Sequence, residues 1–278
     1  MNSENKIYIH ADDYGYTKSM SSKILDCVND GKVNSISIMI DGNSEALTKI
    51  KGIKNTEIRL HLNLTSINSV GNQMHKEKLL KLSFLKLFFA NKKLKKICIE
   101  EIDHQIDKFC KLYDLESLEL DGHHHIQIIP WIYKHLTNQE RYEITNIRIP
   151  SEKIYLLNFA SILRITFYRN LFALIVLKYL SVGKKQSSKR GFAGLLYSGI
   201  YKINSLEKHI KKLKETYTEF EISFHPGHPD YDEYDLFKKN HLKYVTSINR
   251  INEYKLLQSD FKYWYFISLR VLSIFIES

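Results

Sequence analysis

Short runs of β-branched and aromatic residues alternate along this chain with longer stretches in which apolar residues recur every three or four positions. The short runs predict strands near 6–11, 35–40, 57–62, 117–122, 144–149 and 219–224. The longer stretches predict helices over 18–31, 98–113, 155–182 and 205–217. Such alternation is the signature of repeated β-α units, so an α/β fold with a mainly parallel sheet is expected. GKKQSSKRG at 183–191 reads as a loop or mobile lid, and the C-terminal 30 residues are the hardest to place.

Acidic and imidazole residues gather where four of the strand-like runs end: IYIHADDYG at 7–15, IRLHLNL at 58–64, LELDGHHH at 118–125 and EISFHPGHPD at 221–230. Strand ends are where α/β enzymes keep their chemistry, because strands distant in sequence meet on one rim there. The pattern points to a metal-dependent hydrolase.

Composition adds limits. With 278 residues, 44% of them hydrophobic and 12% aromatic, the chain has material for one large domain over 1–278. Only 4 Pro and 11 Gly argue against long disordered linkers. Cys27, Cys98 and Cys110 form no CxxC pair and are odd in number, which favours a reducing compartment, hence the cytoplasm. The first 30 residues contain Asp12 and Asp13 and do not read as a secretory signal. The apolar stretches at 171–182 and 261–276 are broken by Lys178 and by Lys262 and Arg270, and both are shorter than the roughly 20 residues a bilayer requires.

The net charge of +10 and the lysine-rich runs at 76–96, 184–190 and 208–214 suggest weak, peripheral attraction to an anionic membrane surface, such as the inner face of the membrane. At amphipathic spacing the same lysines are equally the solvated faces of packed helices, which is the commoner use. Nucleic acid is not an expected partner: the basic runs lack a binding motif, and Phe84, Phe88 and Phe89 read as a core stripe.

In ADDYG the two carboxylates point in opposite directions unless the strand ends in a turn, and Gly15 predicts one. With both in a site, one can hold a cation while the other takes a proton from water. The plainer use of this pair is a helix cap before 18–31. His61 alone, in an apolar run, reads as a core histidine. In DGHHH, strand alternation puts Asp121, His123 and His125 on one face, a carboxylate and two imidazoles able to supply a metal ligand and its support. Pro226 and Pro229 stiffen the loop carrying His225, although HPG is also a common turn sequence.

ADDYG, HLNL, DGHHHIQIIP, IRIP and EISFHPGHPD together resemble, in order and spacing, the motifs of the YdjC-like carbohydrate deacetylases, a group that includes chitooligosaccharide and hopanoid-type deacetylases. The resemblance covers about 6–255, leaving 256–278 unplaced; FAGLLYSG at 192–199 and the pair Arg250 and Glu253 also resemble family segments. It implies a distorted TIM-like (β/α) barrel and one divalent metal, magnesium first and zinc as the alternative. Asp13, His61 and His123 fall on the metal ligands, with His125 an alternative to His123. Asp12 falls on the catalytic base and His225 on an acid or substrate contact. Asp121 and His125 become near-site support, and Arg148 a substrate contact. His10, Tyr14 and Gln127 depart from the family's usual residues, which leaves the ligand set intact and bears on substrate preference.

The implied activity is removal of N-acetyl groups from an amino sugar in an oligosaccharide or lipid-linked glycan. Two rivals are another barrel hydrolase such as a metal-dependent phosphoesterase, and a non-enzymatic glycan-binding protein of the membrane surface. A homodimer is one further arrangement open to the chain.

Overall fold

The computed structural model of the chain describes residues 5–42, 44–53, 55–65, 82–157, 162–184, 190–227 and 247–259. Seven described strands form one sheet: β1 (Lys6–Tyr14), β2 (Ser35–Ile38), β3 (Glu57–Leu62), β4 (Ser117–Gly122), β5 (Glu143–Ile147), β6 (Gly191–Ala193) and β7 (Glu219–Phe224). Their order is β5-β4-β3-β2-β1-β7-β6, and every neighbouring pair is parallel. The sheet curls into a half-barrel clothed in helices, the distorted TIM-like fold expected from the alternating pattern. Because all strands run one way, their carboxyl ends share one rim.

The connections are helical, as parallel pairing requires. The longer ones are α1 (Lys18–Asn29), α2 (Lys92–Tyr113), α3 (Pro130–Thr137), α4 (Ile165–Ser181) and α5 (Ile203–Lys214), with α6 (Ile248–Gln258) after β7; short helices at Ser44–Lys49 and Phe84–Phe88 lie in the β2–β3 and β3–β4 links. Local sequence sets their starts. Thr17 caps α1 by accepting the Met20 N–H at 3.1 Å, and Asn91 caps α2 by accepting that of Leu94 at 2.9 Å. α1 buries Met20, Ile24, Cys27 and Val28. α5 buries Leu206, Ile210 and Leu213 while Lys208, Lys211 and Lys212 face solvent, so this lysine run is a solvated helix face.

Strand alternation divides the sheet into an apolar and a polar face. Ile7, Ile9, Ala11, Leu60, Leu62, Leu118, Leu120, Phe220 and Ile222 belong to the hydrophobic core. The intervening Tyr8, His10, Asp12, Arg59, His61, Asp121, Glu221 and Ser223 are also buried. Their charges are mutually satisfied: Arg59 pairs with Glu221, with Glu57 at 2.6 Å and with Glu119 at 3.2 Å, while Arg190 reaches Glu119 at 2.7 Å and Glu219 at 2.9 Å. Removing one partner of such a buried network costs about 3–5 kcal/mol.

Several boundaries differ from expectation. β1 continues to Tyr14, and α2 begins at Lys92 because Asn91 caps it there. Of the helix expected over 155–182, α4 covers Ile165–Ser181, while residues 151–157 have no regular structure and 158–161 lie outside the described residues. Within 183–191, Gly191 opens β6, while 185–189 lie outside the described residues. Phe84 and Phe88 pack against the core as expected, but Phe89 is exposed. Among the described residues no helix is long and apolar enough to cross a membrane; the stretch at 261–276 lies outside them.

Candidate active site at the carboxyl rim

Asp12 and Asp13 both reach the site because the strand is irregular between them and their partner. Asp13 takes a left-handed φ of 71°, and the pairing of β1 with β2 shifts register between Ala11 and Tyr14. A left-handed residue at a bulge turns the next carboxylate to the side of the first. Such a torsion costs a non-glycine residue about 1–3 kcal/mol. Gly15 is required just beyond: its φ is 92°, and a Cβ there would stand 2.7 Å from the Met39 carbonyl. Neither aspartate caps α1, since Thr17 does.

Asp13 Oδ1 lies 3.2 Å from His61 Nε2 and 2.9 Å from His123 Nδ1. One donor atom from each of these three buried residues lies within 4.8 Å of the others. That spacing fits donors held about 2.0–2.2 Å from a single divalent ion, as zinc ligands are. His61 turns its other nitrogen, Nδ1, to Asp121 Oδ1 at 2.5 Å, the carboxylate support that orients metal-binding histidines. Asp13 Oδ2 accepts from Arg250 Nη2 at 2.7 Å, which leaves Oδ1 for the shared position. Burial opposes charge on His61, yet Asp121 and Asp13 outweigh it and push its pKa up to about 10. A proton on His61 and a cation beside Asp13 therefore answer the same negative charge.

DGHHH does not continue as a strand. β4 stops at Gly122, and His123–Ile128 form a tight turn in which His124 and His125 both have a φ of 56°. The expected common face of Asp121, His123 and His125 is thereby broken. Asp121 joins His61, His123 joins Asp13, and His125 instead sets its ring edge-on to Phe192 at 6.1 Å. Burial and the nearby Arg148 depress the His125 pKa to about 4.

Asp12 is held from five sides, one of them His10, whose Nε2 lies 3.1 Å from Oδ1. Ser37 Oγ donates at 3.0 Å and Arg148 Nη1 at 2.9 Å to Oδ1; Ser223 Oγ donates at 2.7 Å to Oδ2, and His225 Nε2 lies 3.4 Å from that oxygen. Burial opposes its charge, but Arg148 and His10 keep its pKa well below the usual range. Arg148 is 2% exposed and bridges Asp12, Asp121 at 2.8 Å and Glu221. It is not among the residues that line the site's cavity. His10, Asp12 and Asp121 form a second acidic and imidazole group, but the Arg148 guanidinium already sits on both carboxylates.

His225 follows β7, and its backbone N–H donates to Glu253 of α6. Its Nδ1 stands 3.7 Å from the same carboxylate. Burial opposes protonation, and Glu253 with Asp12 more than offsets it, raising the pKa. Glu253 also accepts from the Gly199 N–H at 2.5 Å and from Ser198 Oγ at 3.2 Å, so it ties three rim segments together.

Over these residues opens a cavity of about 760 Å³. Its polar lining includes Asp12, His61, His123, His225, Arg250 and Glu253, and its apolar wall includes Phe84, Phe172, Val176, Leu177 and Phe192. The volume lies within the range of small-molecule sites, about 300–1,000 Å³. Sequence reasoning did not assign Ser37, Ser223 or Glu221 to the site; the signal for Ser223 and Glu221 is position, two and four residues before His225, whereas Ser37 lies on β2, which carries no flagged group.

A parallel α/β half-barrel with convergent carboxylates and imidazoles on its carboxyl rim defines the class of barrel proteins that carry their chemistry at strand ends. Within that class the chain belongs to the YdjC-like protein family, whose model matches residues 6–264. Relatives called carbohydrate deacetylase include those of Mus musculus, 23% identical over 159 residues, and Xenopus laevis, 26% identical over 163. Each match covers 53% of this chain and 51% of the relative, so the chain spans about half the length of these curated relatives. A solved structure from Enterococcus faecalis V583, of a proposed cellobiose-phosphate cleavage protein, superposes with a TM-score of 0.57 over 93% of this chain and 92% of that one. At 18% identity that likeness concerns the fold alone.

Proposed function

We propose that this protein is a metal-dependent hydrolase that removes N-acetyl groups from an amino sugar of an oligosaccharide or lipid-linked glycan. The observation that carries the proposal is the division of labour between adjacent carboxylates: Asp13 is aimed at two imidazoles, while Asp12 faces the cavity beside a third, His225. The name carried by the curated relatives supports the reaction class.

In this proposal Asp13, His61 and His123 hold one divalent ion. Magnesium is the first candidate, and zinc, which suits imidazole donors, the alternative. When bound, the ion supplies Lewis-acid chemistry, acidifying the attacking water and polarising the amide carbonyl. Asp12, kept ionised by Arg148, accepts the proton of that water as its oxygen adds to the acetyl carbon. His225, whose pKa Glu253 and Asp12 raise, gives a proton to the amine nitrogen as the C–N bond breaks, leaving acetate and a free amino sugar. Asp121 orients His61, Arg148 positions Asp12, and His125 with Phe192 shapes the wall. The three free, buried cysteines support a cytoplasmic setting.

A two-metal phosphoesterase fits less well. Its second ion would need the His10, Asp12 and Asp121 group, where Arg148 already supplies the positive charge. The deciding experiment is acetate release from N-acetylglucosamine oligosaccharides by protein stripped of metal and resupplied with magnesium or zinc. Asp12→Ala is expected to lower kcat about 10²–10⁴-fold. Stoichiometric metal binding with no acetate from any acetylated sugar would overturn the proposal.

A further inference from the structure

α4 differs from the other helices in being apolar around most of its circumference. Leu174 and Leu177 are buried, as the inner face of a packed helix should be. The outer face carries Ile165, Tyr168, Phe172, Ile175, Tyr179 and Val182, each between 55% and 86% exposed. Their spacing of three and four residues draws one continuous stripe along the helix. Contiguous exposed apolar surface of this kind marks an interaction site. At 17 residues, about 25 Å long, the helix suits lying on a surface rather than crossing a bilayer.

Charge identifies the partner. No acidic residue occurs between Glu152 and Glu207, whereas Arg164, Arg169, Lys178 and Lys184 lie on or beside the helix. Were a second copy to pair along this stripe, the charges that the helix itself brings to the seam would all be cations, and like charges would face one another. An anionic surface meets the same cations favourably. The stripe is also continuous with the candidate active site, since Phe172 and Val176 belong both to the exposed face and to the cavity wall, with Arg169 beside them.

We propose that the outer face of α4 seats on an anionic lipid surface and presents the cavity mouth to a glycan whose lipid anchor stays in that surface. This substrate class rests on the deacetylase proposal; the docking itself does not. The test is co-sedimentation of the full chain with phosphatidylcholine vesicles with and without phosphatidylglycerol, for the wild type and for Ile175→Glu/Tyr179→Glu, neither residue lining the cavity. The wild type is expected to bind the anionic vesicles in a salt-sensitive way. The double variant should lose at least about tenfold in vesicle partitioning, while its acetate release from soluble oligosaccharides is unchanged and that from a vesicle-borne glycolipid falls. Ile175→Ser/Tyr179→Ser, checked by thermal melting, serves if the charged pair misfolds.

Failure of the wild type to bind anionic vesicles, or binding untouched by the substitutions, overturns the docking. So does a wild-type dimer that the variant splits, which assigns the face to a second copy, or cross-linking from position 179 into residues 260–278, which assigns it to the chain itself. Vesicle binding without turnover of any acetylated sugar leaves the docking standing and removes the deacetylase proposal.

Discussion

Asp13 owes its place to one torsion, and that torsion is what separates a readable residue from a readable site. ADDYG displays two carboxylates at a strand end, but only the left-handed backbone at Asp13 brings them to one side. The same holds for DGHHH, where the sequence offers three histidines and two left-handed residues decide which of them meets Asp13. Strand alternation is a sound rule up to Gly122 and has no force beyond it. The resulting geometry separates the histidines in a metal titration. By calorimetry, His123→Ala is expected to abolish stoichiometric binding, whereas His125→Ala should leave it nearly unchanged. Asp121→Asn should cost about 10–100-fold in affinity, because it removes only the group that orients His61. Equal losses for His123→Ala and His125→Ala would contradict the assignment.

The long strands were legible because each alternates, as in KIYIHADDY, EIRLHL and EFEISF. The apolar half of each packs with the core, and the polar half builds Tyr8, Arg59, Glu221 and the site residues into the opposite face. β6, only three residues long, offers too short a pattern to detect, and α4 has too uniform an apolar character to reveal where it starts. Yet β6 leads into a contact on which the site depends. Gly194 has a φ of 117°, and a Cβ there would lie 2.3 Å from the Ser223 carbonyl oxygen and 2.8 Å from its nitrogen. Ser223 in turn holds Asp12. Gly194→Ala should therefore lower stability by about 1–3 kcal/mol in urea unfolding, from backbone strain alone. It should also lower kcat, as β7 shifts beneath Asp12. Wild-type kcat with an unchanged urea midpoint would show that β6 and β7 can part without cost.

Across the whole molecule, the buried charges divide into two groups with opposite pH signatures. Burial opposes charge on Asp12, Asp121 and Glu221, but their cationic partners hold all three below the ordinary carboxylate range. Groups depressed in the folded state stabilise it above their unfolded pKa, and that stability is lost as pH falls below about 4. Glu152 behaves in reverse: burial lifts its pKa from 4.5 to about 7 despite backbone N–H donors, and Glu101 is likewise lifted to about 7. Between those values these two groups hold protons in the folded state that they lose in the unfolded one, so the stability they contribute falls as pH rises through that window. His61, raised from 6.5 to about 10, extends the decline into a higher window, where metal can replace the lost proton. His10, His123, His124, His125 and His209 oppose the fall set by Glu152 and Glu101, since burial, and for His124 chiefly the neighbouring His123, lowers their pKa values and the stability they contribute rises with pH up to about 6.5. Melting temperature should thus peak near pH 6.5 and decline above it as His61 loses its proton. Glu152→Gln should raise the melting temperature relative to wild type more at pH 7 than at pH 4.5, without touching the acid limb. Added metal should flatten only the part above about 6.5, because it competes for His61 and not for Glu152. A melting curve in which metal restores stability equally across both windows would mean that the alkaline loss arises from one site, and that Glu152 titrates no differently folded than unfolded.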